Sequence, residues 1–118
     1  MIDTAFLELT EDDLDERVSA AIVRAEQLED VGSPDAVEAW REVLLYETRL
    51  AELTGAGSIE GGVARAGAVH AAMLCGERKT GESLAERYLA DRSLSEERRR
   101  TVRRLTDPTY DRHAIVTR

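Results

Sequence analysis

GGVARAGAVHAAMLCG, residues Gly61–Gly76, is the stretch whose reading decides the fold. Its apolar residues recur at helical spacing, which predicts a helix that Gly76 ends. One row along it is almost entirely small: Ala64, Gly67, Ala68, Ala71, Ala72 and Cys75. A second row is larger: Val63, Ala66, His70 and Met73. A helix that is apolar on more than one side is a central one. The small row lets a neighbouring backbone approach closely, and the larger row meets a second neighbour or a partner.

Working outward, the flanking segments read as helices too. Thr10 before Glu11, Asp12 and Asp13 is a cap followed by acids that suit a helix N-terminus. Leu14, Val18, Ala21, Ala25 and Leu28, with Ile22 beside them, form a heptad-like seam that Gly32 stops. In SPDAVEAW, Ser33 is the expected N-cap and Pro34 the first helical residue. That second helix shows Val37, Trp40, Val43, Leu44, Leu50, Ala51 and Leu53, with Glu47 interrupting the stripe. Ser58 is the expected cap of the opening helix. Thr80 or Gly81 is expected to start a fourth helix, with Leu84, Ala85, Tyr88 and Leu89 inward. Ser93 and Glu96 have capping-box spacing for a fifth, which presents Leu94, Val102 and Leu105 and stops at Asp107-Pro108. Residues 1–10 read as an extra turn or an arm. The expected architecture is all-α: an antiparallel bundle or short stack of about five helices, in one domain over residues 1–106. Residues 107–118 form a tail, either mobile or docked through Tyr110, Ile115 and Val116.

Composition agrees. The chain has 118 residues, 42% hydrophobic and 34% charged, enough for one domain with a core. Aromatics are 4%, proline occurs twice and no β-branched alternation appears, which weighs against strands. Net charge is −8, unevenly spread. Residues 1–60 hold 16 acidic and 4 basic side chains, net −12; residues 61–118 hold 8 and 12, net +4. An acidic chain is a poor general binder of nucleic acid or anionic membrane. Cys75 is the single cysteine, so no intrachain disulfide forms, and in its apolar row it reads as a buried thiol. The N-terminus turns acidic at once, unlike a signal peptide, and no stretch is long and apolar enough to span a bilayer. A cytoplasmic location is expected.

Chemistry-bearing patterns are sparse. GAGSIEGG carries Glu60 where a dinucleotide fingerprint needs glycine, and Val63 and Ala64 where a phosphate loop needs Lys and Ser/Thr. EDDLDE lacks the glycine turn of a calcium loop, and a helix start explains its acids. His70, His113 and Cys75 show no paired metal-ligand spacing, and no His stands near a Ser or Cys in a nucleophile arrangement. No catalytic, cofactor-binding or metal-binding residues are assigned, no cofactor is expected, and the chain reads as a non-enzyme. RRRTVRR reads as a solvated face, with Glu96 and Glu97 within intrahelical reach, or as a face packed on the acidic first half or on a second copy.

Residues 62–93 resemble one unit of a tetratricopeptide repeat, a pair of antiparallel helices with small and large residues at set positions. With Gly76 on the family's inter-helix glycine, Ala68, Val69 and Ala72 fall on the packing face. Gly81 falls on the small position of the second helix, before Ala85, Tyr88 and Leu89, and ESLAERYLAD has the family's cadence. Arg65 replaces a favoured Trp, Ala85 and Tyr88 reverse the usual order, and Ser93 replaces the closing Pro. The resemblance implies a helical-hairpin stack that binds peptide or protein. Its ligand-facing positions would be Val63, Ala66, His70, Met73 and Leu74. Arg99 and Arg103 join them as candidate partner contacts from the basic helix. The expected function is a helical protein–protein interaction module or accessory subunit, with homo-oligomerisation a further expectation. The alternative is a small acidic inhibitor, an immunity protein or antitoxin, ahead of a DNA-binding regulator.

Overall fold

A computed structural model describes residues 4–110. Among them the chain is all-helical: α1 Thr4–Leu7, α2 Glu11–Asp30, α3 Ala36–Leu53, α4 Ile59–Leu74, α5 Arg78–Leu89 and α6 Glu96–Thr106, with no strand. The opening stretch is the central helix. α4 packs against α3, α5 and α6, whereas α2 packs on α3 alone. Its small row supplies the close approach, with Ala64, Ala68, Ala71 and Ala72 at most 1% exposed. The apolar seam of α2 is buried at Leu14, Val18, Ala21 and Ala25. α5 and α6 add Leu84, Ala85, Tyr88, Val102 and Leu105.

The helix ends follow local chemistry. Thr10 and Asp13 form a reciprocal capping box, each side chain accepting the other's backbone N–H at 3.1 Å. Gly32 and Gly76 take positive φ, +67° and +81°. The N–H after each reaches back into its helix, Ser33 to the Leu28 carbonyl and Glu77 to the Ala72 carbonyl, both at 2.9 Å. These are Schellman closures that only glycine adopts without strain. Ser58 caps α4, accepting from the Gly61 N–H at 2.9 Å.

Three starts differ from expectation. Ser33 accepts from the Asp35 N–H at 3.1 Å, but the residues after it form a tight turn closed by Ala36 N–H to the Ser33 carbonyl, so α3 begins at Ala36. α5 begins at Arg78, ahead of Thr80 and Gly81, because the Gly81 N–H already bonds the Glu77 carbonyl at 3.0 Å. Ser95, not Ser93, caps α6, accepting from the Arg98 N–H at 3.2 Å. Ser93 is held elsewhere: its N–H and hydroxyl both donate to Asp91 Oδ1, at 3.0 and 2.7 Å. Residues 4–7 make a single turn, tied to α3 by Arg49 donating to the Leu7 carbonyl at 3.2 Å and by the Phe6 and Tyr46 rings, 6.0 Å apart. Of the expected tail anchors, Tyr110 is half-buried against the core, with the Arg104 guanidinium 5.9 Å above its ring. Ile115, Val116 and His113 lie outside the described residues.

Glu47 does not merely interrupt the α3 stripe. It is fully buried at the α3–α4 contact, and a Cβ built on Gly67 would overlap its carboxylate. Nearby, Trp40 donates from Nε1 to Glu29 Oε2 at 3.1 Å and lies 6.1 Å from the His70 ring, so one side chain joins α2, α3 and α4.

Candidate interaction surface

The candidate partner residues do not gather on one surface. Ala66 and Met73 are 1% and 9% exposed, and Met73 packs where α5 approaches, against Gly81. They are core positions in the single chain. His70 and Leu74 are half-buried, His70 against Trp40. Val63 of that row lines a groove.

Arg99 has a structural task. Its guanidinium donates to the carbonyls of Leu89, Asp91 and Leu94 at 2.7, 2.5 and 3.1 Å, gathering the turn between α5 and α6. Such a fork suits Arg and not Lys. Arg103 is exposed, and both it and Arg100 approach Glu96 of their own helix, at 3.5 and 3.9 Å. α6 packs on α4 and α5, and its backbone approaches neither α2 nor α3. Of the acidic neighbours expected for these arginines, the described ion pairs supply Glu96 of the same helix. α6 follows directly on α5 and is held there by Val102 and Leu105, both fully buried.

The groove lies between α2 and α4. The two helices each pack on α3 but make no backbone contact with each other. Between them opens a groove of about 430 Å³ lined by Asp15, Ser19, Ile59, Glu60 and Val63. Ile59 is 78% exposed there, beside half-buried Val63. By helical spacing Asp12, Ile22 and Glu26 continue the α2 wall past Asp15 and Ser19. Arg17 and Arg24 fall roughly 160–180° around the helix from Asp15, so that wall carries acids without bases. Ile59 sits in the first turn of α4, just past Ser58, one turn ahead of the row that starts at Val63. Its signal was present: Ile59 and Val63 are four residues apart on one helix face.

Elsewhere the charged groups serve the fold. Arg65 donates to the carbonyls of Gly61 and Thr54 at 3.0 and 3.1 Å and lies 5.6 Å above the Tyr88 ring, with Arg87 also at 5.6 Å. Burial pushes the Tyr88 phenol up. Arg41 joins α3 to the α4–α5 turn through Glu77 at 3.0 Å, and that hydrogen bond holds the Glu77 carboxyl below its usual range. Among the described residues no three His, Cys, Asp or Glu side chains are placed to hold a metal ion. None of the described helices is long and apolar enough to cross a membrane.

These features define a small all-α bundle with an acid-walled surface groove. Against known protein families, curated proteins and solved structures, the chain matches none.

Proposed function

We propose that the chain is a non-enzymatic helical module or accessory subunit that binds another protein or peptide. The observation that carries this reading is the open groove between α2 and α4, where Ile59 stands 78% exposed beside Val63. An exposed apolar strip beside a groove between two helices is suited to a third helix or an extended peptide. The tetratricopeptide-like cadence of residues 62–93 points the same way. The alternative, a small acidic inhibitor that masks a basic surface, draws on the acids of α2. A DNA-reading role for α6 is disfavoured because Arg99 is occupied by carbonyls and Arg100 and Arg103 share Glu96.

The test is comparative capture from the native host with immobilised parent and Ile59→Asp chains of equal helicity. A protein retained by the parent and lost by the variant supports the reading. A parent that retains nothing beyond what an unrelated acidic helical protein retains overturns it.

A further inference from the structure

Resting on the reading of the chain as an interaction module, we infer that the α2–α4 groove takes a basic amphipathic helix of another protein. Its apolar side meets Ile59 and Val63, and its cationic side meets Asp15 and Glu60. Three observations carry this. First, the groove has an apolar strip with an acid on each bank: Asp15 on α2 and Glu60 on α4. Second, helical spacing puts Asp12 and Glu26 on the same α2 wall and Arg17 and Arg24 on the far side. A cationic helix therefore meets one sign of charge along the wall, which raises its encounter rate and sets its orientation. Third, a second copy of this chain is a poor occupant. Two copies each carry −8. The chain's own basic helix, α6, has Val102 and Leu105 fully buried, so it cannot offer an apolar and a cationic side together without leaving its core. An acid-walled groove also repels nucleic acid.

The experiment titrates isotope-labelled chain with two synthetic 18-residue helical peptides. Both carry leucine at helical spacing; one has lysine and arginine at the remaining positions, the other glutamate. Amide shifts are followed by NMR, and sedimentation is run in parallel. The expected result is binding of the cationic peptide alone, with shifts centred on Asp15, Ser19, Ile59, Glu60 and Val63. Affinity should fall at least tenfold from low to high salt, and again in Asp15→Lys/Glu60→Lys. Ile59→Ser should weaken binding while leaving its salt dependence unchanged. All three side chains are exposed, so the variants should retain parental helicity. Shifts spread evenly over the acidic surface, equal affinity in parent and variants, or a self-associated dimer that protects the groove would each overturn the inference. A natural partner that binds Asp15→Lys/Glu60→Lys as well as it binds the parent would also overturn it, while leaving the reading as an interaction module in place.

Discussion

The carboxylate of Glu47 on α3 lies against the backbone of Gly67 on α4, where a single added methyl would overlap it. A glutamate end normally swings aside at little cost. Here Glu47 is fully buried, and the neighbouring α4 positions are packed. The absence of a side chain at Gly67 is thus what allows a long polar side chain into an otherwise apolar interface. Gly67→Ala should gain roughly 1 kcal/mol of helix propensity and lose about 1–3 kcal/mol to overpacking, a net loss. Glu47→Ala removes the obstructing carboxylate, so in that background the same substitution should become neutral or stabilising. A double-mutant cycle by urea denaturation measures the coupling. Equal effects in both backgrounds would show that the contact does not decide the position.

A second glycine faces backbone. A Cβ on Gly61 would overlap the Gly55 carbonyl, which cannot swing away, and would crowd Ser58 Oγ, the cap of α4. Gly55 itself has open space where its Cβ would be, and it does not adopt positive φ. Gly61→Ala should therefore destabilise by about 1–3 kcal/mol despite its helical position. Gly55→Ala should be neutral or stabilise by about 0.4–1 kcal/mol through the unfolded chain. Thermal melts of the two variants check the contrast.

The all-α class, the central role of α4 and the buried seam of α2 were legible because each is a local periodicity. What was not legible depends on pairs distant in sequence or on competition between neighbours. Glu47 reads as a break in a stripe until Gly67 is brought opposite. Ser93 has capping-box spacing to Glu96, but Asp91 takes up its N–H and hydroxyl first, and Ser95 caps instead. Ala66 and Met73 belong to the larger row by spacing, yet both are buried, Met73 against Gly81 of α5. The groove was invisible because it arises from α2 and α4 each packing on α3 with their backbones held apart.

Acid tests the turns. Asp13 lies below its ordinary value of 3.8, chiefly through the Thr10 backbone N–H and then its side chain. Asp91 lies below the same value through the Ser93 hydroxyl and N–H. Glu77 lies below its ordinary 4.5, chiefly through Arg41 and then Cys75. A carboxylate lowered in the folded state binds fewer protons there than in the unfolded chain. Its stabilisation is complete above the ordinary value and is lost as pH falls through the lowered one. Asp13→Asn should lower the melting temperature at pH 7 more than at pH 3, narrowing the difference between the two. An unchanged difference would count against the capping box as a source of acid sensitivity.

The thiol of Cys75 is 5% exposed, with Sγ 3.4 Å from the Ala72 carbonyl and 3.5 Å from Glu77 Oε2. Burial, the largest influence, pushes it up, so thiolate is scarce at neutral pH. A disulfide reagent should modify the folded chain slowly at pH 7.5 and rapidly in denaturing urea. Fast modification without denaturant would place the thiol at the surface.

Arg99 and Arg103 share a helix and differ in consequence. Arg99 gathers three carbonyls from the end of α5 and the turn after it, while Arg103 meets only exposed Glu96 in the described structure. Hydrogen bonds from a charged donor contribute roughly 1.5–3 kcal/mol when buried; partial exposure of this site brings the expected loss for Arg99→Ala to about 1–2 kcal/mol in total. Arg99→Lys should recover little, because one ammonium cannot span three carbonyls set by a planar fork. Arg103→Ala should change stability by less than about 0.5 kcal/mol. Hydrogen exchange gives the sharper readout: Arg99→Ala should speed exchange at Leu94 and in the first turn of α6, and Arg103→Ala should not. Equal protection in both variants would mean that Val102, Leu105 and Leu94 hold the turn without the guanidinium.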